Sequence, residues 1–258
     1  MTNNQSPFVA LAASGRVEWL DEIDSTNAEL KRRAADGAAD GTVLIARRQT
    51  GGRGRLGRTF FSPTGGLYMS VLLRHAAHSP DVSLLTIAAA TAVAEAIEAV
   101  AGEQTALKWV NDVYLHDRKV CGILAEAIAD EHGALQGIVL GLGVNITPPQ
   151  GGFPDDLRDI AGALFDTAPS DTAVRLAEEI INRLLPYAEH LSARAYLAGY
   201  RRRSMLDGKA VAFCENGVWH EGEALGIDDD GGLMVRLACG DERVLRFGEV
   251  TLHREKLT

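Results

Sequence analysis

Cationic side chains spaced by glycine are the first chemistry that the sequence offers. From Gly41 to Pro80 there is no Asp or Glu, yet Arg47, Arg48, Arg53, Arg55, Arg58 and Arg74 all fall there. Three of them alternate with glycines in Gly52-Arg53-Gly54-Arg55-Leu56-Gly57-Arg58. Glycine lets a backbone approach a ligand closely. Guanidinium forks and backbone N–H groups can then converge on phosphate or carboxylate oxygens. Three readings compete: a solvated loop, an Arg/Gly contact to RNA, and an anion or nucleotide site. Like charges repel, so the segment is expected to stay disordered until a ligand neutralises it. Gly52, Gly54 and Gly57 also match GxGxxG, but no helical pattern follows them and the arginines would crowd a tight βα turn, so a dinucleotide fingerprint is rejected.

Two further clusters could work with such a loop. Lys108-Trp109-Val110-Asn111-Asp112 puts a cation, an amide and a carboxylate between two strand-like runs, and Lys119 leads into the apolar run Val120–Leu124. A lone lysine at a strand start is ordinarily solvated, but a second lysine and a basic loop weaken that reading. Gly141-Leu142-Gly143-Val144-Asn145 ends an apolar strand whose glycines let something flat approach the sheet. The seven histidines (75, 78, 116, 132, 190, 220 and 253) show no metal spacing and no triad, and GxSxG is absent. Covalent Ser or Cys catalysis has no support.

The elements that must hold these groups read as follows. Residues 1–15 are a loose start. Asp24 or Ser25 caps a helix running to Asp36, closed by Gly37. Strands are expected at 42–47 and 67–74, with the 19-residue arginine loop between them; loops of that length in compact domains are commonly functional. A helix covers 81–101, strand-like runs cover 105–110, 112–117, 119–130 and 134–147, and helical patterns return at 155–166 and 170–201. Strands mix with helices without strict βαβ alternation, so the fold class is α+β. After Asp207, short β-type runs separated by Glu-Asn-Gly, Asp-Asp-Asp-Gly-Gly and Cys-Gly-Asp-Glu indicate a small β-barrel. The division expected is 1–206 and 207–258.

Composition narrows the class. With 26 basic and 35 acidic residues among 258, the chain carries a formal charge of −9, which argues against a general nucleic-acid binder. Cys121, Cys214 and Cys239 are odd in number and far apart, so neither a disulfide framework nor a zinc site is expected and a reducing cytoplasm fits. No signal peptide is visible at the start, and the uncharged run Ser83–Ala94 is too short to span a bilayer.

Taken in order, DSTN at 24–27, RQTGGRGRLGR at 48–58, FSP at 61–63, KWVND at 108–112, RKVCGIL at 118–124 and GLGVN at 141–145 resemble the biotin–protein ligases. The resemblance implies a mixed β-sheet catalytic domain flanked by helices, with a Src-homology-3-like barrel at the C-terminus. It implies two steps: biotin and MgATP give biotinyl-5′-AMP, and a lysine of the biotin carboxyl carrier protein of acetyl-CoA carboxylase then takes the biotin. By that resemblance Ser25, Thr26, Asn27 and Gln49 bind the ureido head; Arg53, Gly54 and Arg55 cover the biotin tail and adenylate; and Gly122 leaves room for the rings. Lys119 contacts carboxylate and α-phosphate and is the leading catalytic residue, with Arg53 and Arg55. Arg58, Lys108, Asn111, Asp112 and Asn145 lie on the nucleotide side, and Asp112 is the link to Mg²⁺. Val110, Phe60 and Leu56 depart from the family's usual Pro, Trp and basic residue. Too few residues precede Asp24 for a three-helix DNA-binding domain, so a ligase without DNA or membrane partners is expected. A homodimer through sheet edges fits the family.

Overall fold

The computed structural model describes residues 6–215 and 217–252. The outermost residues of the expected division and His253 lie outside the described residues. Ser25, not Asp24, caps the first long helix, accepting from the Ala28 N–H. That helix, α2 (Thr26–Ala35), follows a short helix α1 (Pro7–Ala13) and strand β1 (Val17–Ile23). The loose start is thereby corrected: Ser6 caps α1 and Pro7 occupies its first turn, a pairing that favours helix initiation. Strands β2 (Val43–Gln49) and β3 (Gly66–Leu73) flank the arginine loop. Helix α3 (Leu85–Ala101) and strands β4 (Ala106–Lys108), β5 (Asp112–Leu115), β6 (Arg118–Ala129) and β7 (Leu135–Asn145) follow.

These seven strands form one sheet in the order β1-β2-β3-β7-β6-β5-β4, with β1 and β2 parallel and the rest antiparallel. Side-chain alternation gives the sheet two unlike faces. Val43, Ile45, Val71, Ile138 and Leu140 join the large core beneath α3 and α4 (Thr172–Glu189). Leu44, Leu72 and Val139 point the other way, onto Leu30 and Ala34 of α2. Ser70, Gly141, Gly143, Gly122 and Glu126 share the α2 face by the same alternation.

Two helical expectations are corrected. Residues 155–160 form turns and 161–166 are irregular, because their backbone groups are taken elsewhere: Lys119 N–H donates to Ile160 O at 2.8 Å and Gly162 N–H donates to Lys119 O at 2.9 Å. The run 170–201 is broken; α4 ends at Glu189, Arg194 takes a left-handed φ of 54°, and α5 (Leu197–Arg203) begins afresh. Strands β8 (Ala210–Glu215), β9 (Val218–Ile227), β10 (Leu233–Leu237), β11 (Glu242–Leu245) and β12 (Val250–Leu252) form a second, antiparallel sheet in the order β11-β10-β9-β8-β12. Its apolar residues Val211, Phe213, Leu233 and Val235 merge with the main core, and Trp109 Nε1 donates to Gly231 O across the junction.

The stretch Val82–Ala101 is long and apolar enough to cross a membrane by length and composition, with mean hydropathy 1.7, more than the uncharged run alone suggests. Two-thirds of it is buried inside the protein, which is the position of a core helix. The three cysteines are free, Cys121 buried and the other two exposed.

Candidate active site

The α2 face and the arginine loop enclose two adjoining cavities. The smaller is lined by Ser25, Thr26, Asn27, Gln49, Arg53, Gly54, Arg55, Lys119 and Gly122, so every residue expected around biotin is gathered there. The larger, about 360 Å³, is lined by Arg55, Arg58, Lys108, Asn111, Asp112, Lys119 and Asn145, the whole set expected on the nucleotide side. Gly54, Arg55, Phe60, Asn111 and Lys119 border both.

The small cavity has a buried polar wall. The Thr26 N–H donates to Gln49 Oε1 at 2.8 Å and the Thr26 hydroxyl lies 3.1 Å from the same oxygen. Gln49 Nε2 donates to Ser62 Oγ at 3.0 Å, and Ser62 donates to Phe60 O at 2.8 Å. Ser70 Oγ lies 2.7 Å from Thr26 Oγ1 and 2.6 Å from Asn27 Oδ1, and Asn27 Nδ2 donates to Glu126 Oε2 at 2.8 Å. Ser25, Thr26, Asn27, Ser62 and Ser70 are all buried. Buried polar groups cost stability unless they are bonded, and here each finds a partner. Burial raises the Glu126 pKa, but hydrogen bonds from Asn27 and Lys31 outweigh it and hold the carboxyl below its usual range.

The glycines on this face are filled by side chains. A Cβ on Gly141 would lie 2.2 Å from Asn27 Oδ1, and one on Gly143 would lie 2.5 Å from the Phe60 ring. Gly122, paired with Gly143, has the same ring 2.9 Å from its would-be Cβ. The flat group expected over Gly141–Gly143 is therefore, in part, Phe60 itself, which partitions the two cavities.

Cations gather where the cavities meet. Lys119 Nζ lies 2.7 Å from Asp112 Oδ1, and Asn111 Nδ2 donates to the same oxygen at 2.7 Å. Residues 160–162 clamp the Lys119 backbone, and Asn145 Nδ2 donates to Gly162 O to brace that clamp. The arginine loop, expected to stay disordered until a ligand neutralises it, is instead held by partners within the chain. Arg55 donates to Asn111 Oδ1 at 2.6 Å and to Gly248 O at 2.9 Å; Arg58 donates to both oxygens of Glu249; Arg53 Nη1 sits 3.9 Å from Glu126. Each guanidinium has a partner that an incoming anion can replace. The Lys108 side chain makes no hydrogen bond to the described residues; burial pushes its ammonium below the usual range, against the pull of Asp112 and Glu249. Cys121 lines the larger cavity, but burial pushes its thiol up to about 12, leaving it inert.

Ser62, Ser70, Glu126, Gly248 and Glu249 were not anticipated as site residues. Ser70 had a visible signal, being the one hydroxyl besides that of Tyr68 in the run Gly66–Leu73. Glu126 and the barrel residues had none, since only tertiary folding brings them close.

Comparison with known proteins gives this arrangement its relatives. Residues 19–145 match the biotin/lipoate A/B protein ligase family, and residues 208–252 match the biotin protein ligase C-terminal domain. The biotin–[acetyl-CoA-carboxylase] ligase of Mycobacterium tuberculosis is 34% identical over 257 residues, covering 93% of this chain and 90% of that protein. The bifunctional ligase/repressor of Bacillus spizizenii is 35% identical over 239 residues, 88% of this chain and 71% of the relative. Among solved structures, the biotin protein ligase from Aquifex aeolicus in complex with biotin and ATP superposes with a TM-score of 0.76 at 29% identity, over 92% of this chain and 98% of that one. The chain belongs to the biotin/lipoate A/B protein ligase family and carries the C-terminal domain of the biotin protein ligases.

Proposed function

We propose that this chain is a biotin–[acetyl-CoA-carboxylase] ligase, which activates biotin with ATP and passes it to a lysine of the biotin carboxyl carrier protein. The observation that carries the reading is the junction: Lys119, Arg55 and Asn111 border a small polar cavity on one side and a larger cation-lined cavity on the other. A carboxylate from the first meets an α-phosphate from the second at that border. The carboxylate oxygen attacks phosphorus, the bond to pyrophosphate breaks, and biotinyl-5′-AMP remains. An unprotonated lysine ε-amine of the carrier then attacks the mixed anhydride, forming the amide, releasing AMP and losing its proton.

The first step brings negative charge onto negative charge. Fixed cations offset that repulsion, and such electrostatic stabilisation is commonly the largest catalytic contribution. Lys119 takes this role, with Arg55 and Arg53; an ionised carboxylate needs no general base. Ser25, Thr26, Asn27 and Gln49 hold the ureido head, Gly54 makes room for the tail, Gly122 lines the ring side with the Phe60 ring seated against it, and Arg58, Lys108, Asn111, Asp112 and Asn145 hold the nucleotide. Among the described residues no group of three or more His, Cys, Asp or Glu could hold a metal. Mg²⁺ would arrive with ATP, carried by its phosphate oxygens, and Asp112 is the residue that would link it to the protein. When bound, it supplies further neutralisation of phosphate charge.

The same reading divides the chain near 206/207, places it in the cytoplasm in keeping with its free cysteines, and extends to a homodimer that pairs through sheet edges. ATP–pyrophosphate exchange tests the function. Exchange that needs biotin and vanishes in Lys119→Ala is the expected result; exchange with lipoate alone moves the assignment to a lipoate ligase, and no exchange with either overturns activation altogether.

A further inference from the structure

We infer that Glu126 is a positioning residue that sets the direction of the hydrogen bonds in the head-group wall, and thereby makes that wall accept N–H groups. The inference rests on the biotin reading above and adds how the head is selected. Glu126 reaches the wall from β6, two residues beyond Leu124, and is tied to it by Asn27, whose Nδ2 donates to its Oε2 at 2.8 Å. Lys31 Nζ, at 3.0 Å from the other oxygen, and Arg53 beyond it keep the carboxylate charged.

An ionised carboxylate only accepts. Asn27 must therefore turn its amide nitrogen to Glu126, where Leu124 O at 3.5 Å also receives it, and its oxygen Oδ1 toward Ser70. That oxygen also only accepts, so the single Ser70 proton goes to it across 2.6 Å. Ser70 Oγ, 2.7 Å from Thr26 Oγ1, is then left to receive the Thr26 proton, which has a longer path of 3.1 Å to Gln49. Every proton in the chain thus runs toward Glu126. At the far end Thr26 Oγ1 keeps a lone pair, and Gln49 Oε1, bonded to the Thr26 N–H alone, keeps another. Thr26 and Gln49 both line the small cavity. Ser25 still has its hydroxyl proton, because its oxygen acts as an acceptor in capping α2. A wall with two acceptors and a donor matches a cyclic urea, two N–H groups around one C=O, and offers nothing to a dithiolane.

The test compares wild type, Glu126→Gln, Ser70→Ala and the double variant. Glutamine fills the same volume but can donate to Asn27, which releases the constraint on the chain. Biotin affinity is read by calorimetry, alongside KM and kcat for biotin and ATP in pyrophosphate exchange. Biotin methylated on its ureido nitrogens is the second ligand. Glu126→Gln is expected to raise biotin KM about tenfold, the value of one well-made hydrogen bond to a buried partner, with kcat and the KM for ATP little changed. The preference for biotin over its methylated form should shrink by a similar factor. Ser70→Ala in the Glu126→Gln background should add far less than it does alone. Unchanged discrimination between the two ligands, or additive losses in the double variant, would overturn the inference. If Glu126→Gln does not fold, Ser70→Ala with both ligands decides by the same ratio. A wild type that exchanges no pyrophosphate with biotin would instead refute the ligase reading, and that arm is read first.

Discussion

The wall of the small cavity and the arginine loop sit a few side chains apart, yet they are built on opposite plans. In the wall, Thr26, Asn27 and Ser70 are buried and bonded to one another, and buried Ser62 is bonded to Gln49 and Phe60, before any ligand arrives. In the loop, the side chains of Arg53 and Arg58 are 54% and 66% exposed; Arg58 pairs with Glu249 of the barrel, and Arg53 stands 3.9 Å from Glu126. A buried, satisfied network resists rearrangement, whereas an exposed ion pair contributes little and opens cheaply. Recognition of the head is therefore fixed in advance, while the charges that act on phosphate are held by partners they can leave. Closure of such a loop also keeps water from a reactive anhydride.

Lys119→Ala should give the largest effect, because it removes charge from the junction of the two cavities. Loss of about a thousandfold in the rate of pyrophosphate exchange is expected, with the melting temperature nearly unchanged. A drop in activity that merely tracks loss of folded protein would break the distinction between loop-side chemistry and scaffold.

Gly141→Ala probes the fixed wall. Its new methyl would have to displace the Asn27 amide, which Ser70 and Glu126 hold from two sides. Biotin binding should weaken roughly tenfold to a hundredfold and stability should fall by about 1–3 kcal/mol, while ATP binding by the isolated step is affected less. Equal losses for both substrates in titration would mean that the wall is not a separate unit.

An ion pair of the scaffold calibrates those at the rim. The Arg203 side chain is only 9% exposed, and Arg203 donates twice to Glu98, which also accepts from the Thr105 N–H and hydroxyl. Burial works to raise the Glu98 pKa, but Arg203 and Thr105 outweigh it and bring it down to about 2. A carboxyl depressed in the folded state stabilises the fold above its unfolded pKa and loses that contribution as pH falls through the folded one. Stability should thus decline between about pH 4.5 and pH 2, by roughly 2–3 kcal/mol from this group. Denaturant melts of Glu98→Gln should show a flatter profile over that window.

Glu249→Gln should do least. It weakens the bidentate hold on Arg58 at a half-exposed site, so the change in stability should stay below about 1 kcal/mol and shrink further in salt. A large loss of ATP affinity in this variant would show that the barrel's rim is part of the rigid framework and not a releasable partner.

Most of the framework was readable from periodicity and capping. Ser25 as a cap, the strands on either side of the arginine loop and the long apolar helix all stand where spacing puts them. The misreadings have local causes. Residues 155–166 have helical spacing, but their carbonyl and amide groups are claimed by Lys119, a long-range contact that no window of residues reveals. Helix α1 was hidden by the absence of charge around Ser6 and Pro7. For the site, residue types and spacing pointed to an anion-handling arginine loop, while the assignment of residues to the two cavity linings came from the family resemblance of the motifs. Glu126 and Glu249 escaped because an acidic residue on a half-exposed strand or loop is ordinary until folding sets it beside an amide or a guanidinium.

Phe60 carries a consequence for how the two substrates meet. One aromatic ring, seated over Gly122 and Gly143, is wall to both chambers, and it hangs from the same backbone whose carbonyl Ser62 grips beside Gln49. Whatever shifts that ring to suit an occupant on one side reshapes the room on the other. The affinities for acid and nucleotide are thereby thermodynamically linked, and by the same factor in each direction.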